Sequence, residues 1–294
     1  MSNERMVQAN GVDLCVEGFG DSGDPAILLI MGAAASMLSW ADEFCERLAA
    51  GSRFVVRYDH RDTGRSVSYE RGSPPYTLWD LAEDGVGVLD AFGLSSAHLV
   101  GMSMGGGIAQ IAAIEHPDRV ASLALIGTSP SAPGPDDPDL PAMSAEARAR
   151  FTEVPEPDWS DRSAAIDYVV AVERACAGRS RPFDERAMRE LAGRVVDRTV
   201  DIAASMSNHM AMGNSERWRE RLGEISAPTL VIHGTEDPVI PYGNGLALAR
   251  EIPGARLLTL EHTGHEVPRA VWDVVVPELL QHSARATTRA ARSD

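Results

Sequence analysis

The chain contains no lysine: all 27 of its basic residues are arginine, set against 43 acidic residues and 8 histidines. That absence excludes Schiff-base chemistry, pyridoxal phosphate attachment and a lysine-bearing phosphate loop. The formal charge of −16 works against nucleic acid or a membrane surface as partner, because both are held by surplus positive charge. Cysteine is nearly as scarce. Cys15, Cys45 and Cys176 are odd in number and widely spaced, with no CxxC pair. They suggest neither a disulfide framework nor a zinc cluster, and read as reduced thiols of a cytoplasmic protein. No two histidines have metal-ligand spacing, so no metal is expected. The polar start at Met1-Ser2-Asn3-Glu4-Arg5 lacks a signal-type apolar region, no run approaches the roughly 20 apolar residues of a membrane span, and there is no internal repeat.

What the 294 residues do have is 44% hydrophobic content, enough for a substantial core, and an alternation of strands and helices. Asn10-Gly11 is a two-residue turn suited to a hairpin, so Met6–Ala9 and Val12–Glu17 are expected as an antiparallel ribbon. Ala26–Met31 is uniformly apolar, as a strand covered on both faces should be. Phe54–Tyr58, Ala97–Met102, Ser122–Ile126, Pro228–Gly234 and Arg256–Leu260 are further strands. Helical spacing separates them at Trp40–Ala50, at Thr77–Phe92, behind Ser103, at about Gly243–Ile252 and at Val267–His282. The alternation predicts an α/β fold, with a mostly parallel sheet flanked by helices and an N-terminal antiparallel hairpin. From Thr128 the rhythm breaks, and three or four amphipathic helical patterns follow to about Leu222 with no convincing strand among them. Residues 1–129 and 225–283 are therefore the expected core, 130–224 a helical cap inserted as a lid, and 284–294 a mobile tail.

Within this frame, Gly101-Met102-Ser103-Met104-Gly105 joins an apolar strand to a buried helix. A serine between glycines at such a turn is a nucleophile elbow, whose strain lifts the hydroxyl clear of the backbone. A serine hydroxyl needs a base, and the base needs an orienting carboxylate, both from loops at the carboxyl ends of strands. Asp237, in Gly234-Thr235-Glu236-Asp237-Pro238, and His265, in His262-Thr263-Gly264-His265, stand at two such ends, in the chain order Ser, Asp, His. Glu236 is the nearest rival for the acid and His262 for the base. The glycine before His265 lets the loop turn that imidazole inward. The remaining histidines sit where packing or solvent roles suffice. The oxyanion requires two N–H donors: Met104, directly after the serine, and Ala33 in the loop after Ala26–Met31, with Gly32 as the alternative. Gly32 and Met102 are also candidate substrate contacts. The cap supplies further apolar candidates in Met188, Met206, Met210, Met212 and Trp218.

The elbow, the Gly-Thr-Glu-Asp-Pro acid loop, the Thr-Gly-His base loop and the run Tyr58-Asp59-His60-Arg61-Asp62-Thr63-Gly64-Arg65-Ser66 together resemble the α/β-hydrolase family over about residues 5 to 283. The last run, with Met31-Gly32 ending the earlier strand, is similar to the aclacinomycin methylesterase group, whose members hydrolyse a methyl ester on a polyketide. Many relatives carry His-Gly where this chain has Met31-Gly32. The resemblance implies a structural turn at 58–66 with no catalytic role. It implies hydrolysis of a small or medium apolar carboxylic ester, a small-molecule partner and no cofactor. Lactone, carbon–carbon bond or perhydrolase chemistry would use the same three residues, and a non-catalytic binding protein is the further alternative. A serine at 103 argues against haloalkane dehalogenase and epoxide hydrolase chemistry, which need a carboxylate there.

Overall fold

Asn10 and Gly11, at φ 47° and 76°, turn the chain between β1 (Arg5–Ala9) and β2 (Val12–Phe19), which pair antiparallel with Ala9 opposite Val12. The computed structural model describes residues 3–130, 137–213 and 216–290. Six further strands follow: β3 (Ala26–Ile30), β4 (Phe54–Tyr58), β5 (Ala97–Met102), β6 (Val120–Ile126), β7 (Thr229–Gly234) and β8 (Arg256–Leu260). They form one sheet in the order β1-β2-β4-β3-β5-β6-β7-β8, and every pairing from β4 to β8 is parallel. The carboxyl ends of β3, β5, β7 and β8 therefore share one edge.

The apolar uniformity of β3 follows from burial on both faces. On β3, Leu28 and Ile30 enter one core layer, while Ile27 and Leu29 enter the other. Helices α2 (Leu78–Ala91) and α3 (Met104–Glu115) cover the first face, and α1 (Asp42–Ala49) covers the second. Thr77 caps α2 through a reciprocal box with Asp80, which fixes the start of that helix.

Between β6 and β7 lie α4 (Ala145–Thr152), α5 (Arg162–Cys176), α6 (Glu185–Arg198), α7 (Ile202–Ser205) and α8 (Asn208–Ala211). Asp161 and Asp184 cap α5 and α6, and Ile166, Val169, Val170 and Ala192 form a small core of their own. This segment meets the sheet domain at the loops that follow the parallel strands. Arg198, at the end of α6, reaches Asp59 after β4 (2.6 Å) and also Ser36 (2.9 Å) and Glu4 (3.2 Å). The side chains of Arg198 and Asp59 are 6% and 0% exposed. Gly64, at φ 52°, sits against the pair, where a Cβ would collide with both partners.

α9 (Gly243–Glu251) precedes β8, and α10 (Trp272–Ala290) closes the described chain. The last helix begins later than the periodicity predicts. Pro268 holds Val267 out of helical geometry, and a 3-10 turn at Arg269–Val271 intervenes. α10 also runs further, so residues 284–290 of the expected mobile tail are helical, and Ala286 is buried. Residues 291–294 of that tail, and 131–136 and 214–215 of the expected cap, lie outside the described residues. No helix among the described residues is long and apolar enough to cross a membrane.

Removing one partner of a buried ion pair strands the other charge. Arg198→Met should lower the unfolding free energy in urea by about 3–5 kcal/mol. A loss below about 1 kcal/mol would mark the pair as no stronger than a solvent-exposed one.

Candidate active site

Ser103 stands between β5 and α3 at φ 53° and ψ −121°. An L residue adopts such a conformation at a cost of roughly 1–3 kcal/mol, and only where its surroundings hold it. They do so here. The Ser103 N–H donates to Ile126 O (2.9 Å), and its carbonyl accepts from the Gly106 N–H (2.9 Å) and from Thr128 Oγ1 (2.7 Å). A Cβ on Gly101 would strike the Gly105 carbonyl, and one on Gly105 would strike the carbonyl oxygens of Ile30 and Met31. The glycines of the elbow thus let α3 start against the backbone of β3, and Ser103 is left half-buried at the sheet edge.

The loops after β7 and β8 bring Asp237 and His265 together. His265 Nδ1–H donates to Asp237 Oδ2 at 2.8 Å, with the carboxylate fully enclosed and the imidazole 9% exposed. The other oxygen, Oδ1, accepts from the N–H groups of Val239 (2.9 Å) and Ile240 (2.8 Å), which aims the carboxylate. Gly127, at φ 50°, lies beside the pair. A Cβ there would stand 3.3 Å from Asp237 Oδ2 and 3.4 Å from His265 Nδ1, so the loop after β6 contributes clearance rather than an acid. The two rivals occupy the surface. His262, 65% exposed, places Nδ1 3.2 Å from Glu236 Oε1, and Glu236 also accepts from the Ser180 N–H (2.8 Å) and hydroxyl.

Burial opposes a charge on His265, but Asp237 outweighs it with help from Glu173 on α5 and the adjacent Glu266, so the imidazole pKa lies above its ordinary value. Burial raises the carboxyl pKa of Glu173 and of Glu266. α5 and the residues after it dock directly on the loop after β8: the His265 N–H donates to Cys176 O (2.8 Å), and a Cβ on Gly264 would collide with Gly178 N.

The loop after β3 approaches Ser103 from the neighbouring strand. A Cβ on Gly32 would come within 3.2 Å of Ser103 Cβ and 3.8 Å of its hydroxyl. Met104 opens α3, so no intrahelical carbonyl takes its N–H. Ala33 and Met104 are half-buried, as Ser103 is. The run 58–66 braces this loop from below. Asp59 accepts from Ser36 Oγ (2.9 Å), Met37 N–H (2.9 Å) and Arg65 N–H (3.1 Å), while His60 Nε2–H donates to Met31 O (2.9 Å). Arg61 holds Asp84 through two bonds of 2.7 Å, and Asp62 accepts from Tyr76 OH at 2.6 Å.

Other expected contacts are placed less favourably. Met102, 5% exposed, packs in the core behind the elbow with Val100, Ile126 and Ile232. Trp218 is buried against α3, its indole N–H on Gln110 Oε1 (3.0 Å). Met188 and Met206 pack on the small core of α5 and α6, Met212 packs on the main core, and Met210 is exposed. Sequence reasoning missed Glu173, Glu266, Arg198 and His209, the last of which bonds the Ala34 N–H (2.9 Å). Local periodicity marks the helices that carry Glu173 and Arg198 but not which of their residues meet a distant loop.

The family model for the α/β hydrolase fold matches residues 25–268. The chain is 35% identical over 302 aligned residues to the rhodomycin D methylesterase DauP of Streptomyces sp. (strain C5), covering 96% of this chain and 99% of that protein. It is 34% identical to the rhodomycin D methylesterase DnrP of Streptomyces peucetius, with the same coverage. Among solved structures, the enol-lactonase from Burkholderia xenovorans LB400 superposes with a TM-score of 0.74 at 23% identity, over 95% of this chain and 99% of that one, a likeness of fold. With its strand order, its elbow and these relatives, the chain belongs to the α/β-hydrolase family.

Proposed function

We propose that this protein is a serine esterase that cleaves a carboxylic ester of a small or medium apolar molecule through an acyl-enzyme, with a methyl ester the first substrate class to test. The observation that carries the reading is the enclosed Asp237–His265 hydrogen bond on the sheet edge that also bears the strained Ser103. With Nδ1–H given to Asp237, neutral His265 keeps its lone pair on Nε2, the nitrogen that accepts the Ser103 proton. The hydroxyl oxygen adds to the ester carbonyl, and the N–H groups of Met104 and Ala33 stabilise the oxyanion. Collapse expels the alcohol, which takes the proton from His265. Water then attacks the acyl-enzyme with His265 again as base and releases the acid. The full-length similarity to two methylesterases supports the choice of substrate class. The segment α4–α8, docked on the loops after β3, β4, β7 and β8, would act as the lid that selects the acyl and alcohol groups.

A fluorophosphonate probe should label Ser103, as read by peptide mass spectrometry. Folded protein that stays unlabelled would refute the reading. His265→Ala should reduce kcat/KM on an aryl ester at least about a thousandfold, while His262→Ala leaves it near the wild-type value. The reverse pattern would identify His262 as the base.

The base works neutral, so kcat/KM should rise with pH through the His265 pKa. Since that pKa lies above the ordinary value of about 6.5, the acid limb should have its midpoint above that pH. Glu173→Gln removes a negative charge that favours the imidazolium and should move the midpoint down. A limb unmoved by that change would separate Glu173 from the base.

A further inference from the structure

The loop that supplies the proposed second oxyanion donor is held at both ends by buried histidines outside the Ser103, Asp237 and His265 set. At its start, His60 Nε2–H donates to Met31 O (2.9 Å). Further along, His209 of α8 accepts the Ala34 N–H on Nδ1 (2.9 Å) and donates its own Nε2–H to Arg61 O (2.9 Å). Both of its ring nitrogens are thereby assigned, one as acceptor and one as donor, which requires a neutral imidazole. The rings of His60 and His209 meet edge to face at 5.9 Å, and that of His209 also meets Tyr76 at 6.1 Å.

This arrangement sorts the loop's N–H groups. Ala34 is committed to His209, and the Ala35 N–H turns back to Gly32 O (3.4 Å). Neither is then available to a substrate oxyanion, which leaves Gly32 and Ala33. Ala34 is also a non-glycine residue at φ 61°, a left-handed conformation that its surroundings must enforce. In that turn its peptide N–H donates to His209 Nδ1.

We infer that His209 is a positioning residue: by accepting the Ala34 N–H it fixes the left-handed turn and keeps the neighbouring Ala33 N–H directed at the oxyanion, while His60 anchors the loop's other end. The inference rests on the esterase reading. It adds that the segment between β6 and β7 completes the catalytic geometry as well as covering it. Burial drives the His209 pKa down to about 4, and burial with the neighbouring His209 drives that of His60 to about 3, so both rings stay neutral where esters are assayed.

Two variants test it. His209→Leu removes the acceptor, whereas His209→Asn places an oxygen near the position of Nδ1. His209→Leu should lower kcat about ten- to a hundredfold with KM little changed, somewhat less than the loss of an oxyanion donor outright. It should weaken a trifluoromethyl ketone, which forms a tetrahedral oxyanion, by the same factor. His209→Asn should restore most of both. Amide hydrogen exchange over residues 31–38 should accelerate in His209→Leu and return towards wild type in His209→Asn, a readout independent of turnover. Wild-type kcat in a folded His209→Leu, or unchanged exchange in the loop, would overturn the inference. So would equal kcat losses in both variants that follow equal losses of unfolding midpoint. A wild-type protein that hydrolyses no ester would instead refute the esterase reading, and the exchange data would still decide whether His209 holds the loop.

Discussion

The structure depends on one backbone constraint: a serine held at positive φ in the single residue between β5 and α3. The strain is tolerable because the surroundings leave no alternative. Ile126 O on β6 accepts the Ser103 N–H, the Thr128 hydroxyl donates to its carbonyl, and the glycines at 101 and 105 let α3 begin where any side chain would strike the backbone. Such a conformation persists only when it is overdetermined. The parallel order of the sheet then places the loops of β3, β7 and β8 on the edge where the serine stands.

A second layer of order comes from buried polar groups that tie the helical segment to these loops. Arg198 enters from α6 to meet Asp59, which also holds Ser36 and Met37 beyond the β3 loop, and His209 enters from α8 to meet Ala34. The chain's reliance on arginine suits the first contact. A guanidinium presents several fixed donors, and Arg198 uses them on Asp59, Ser36 and Glu4 together. Around His265, Asp237, Glu173 and Glu266 create a negative field that favours the imidazolium over the neutral ring.

Much of this was legible in the sequence, for identifiable physical reasons. A strand buried on both faces is mostly apolar, so β3 could be read from composition, while β4 and β5 each bury one polar residue, Arg57 and His98, among apolar neighbours. Ser103, Asp237 and His265 stood out because each follows a strand that ends on the same edge, and the structure pairs Asp237 with His265 while leaving Glu236 and His262 to each other at the surface. The start of α10 is not legible from periodicity, because the helical spacing continues through Val267 although Pro268 disfavours helix there. Met102 and Trp218 are large and apolar in the right neighbourhood, yet the core claims both. His60 and His209 looked like packing residues. Their hydrogen bonds to Met31 and Ala34 depend on how two remote segments meet, which no local pattern encodes.

The central claim is that Ser103 carries the acyl group. Rapid-quench mass spectrometry during turnover of a p-nitrophenyl ester, at a pH low enough to slow deacylation, tests it most directly. The account predicts a burst of p-nitrophenol matched by a mass increase of one acyl group, mapped to the peptide bearing Ser103. Turnover with no acyl mass on Ser103, or undiminished turnover by Ser103→Ala, would contradict it.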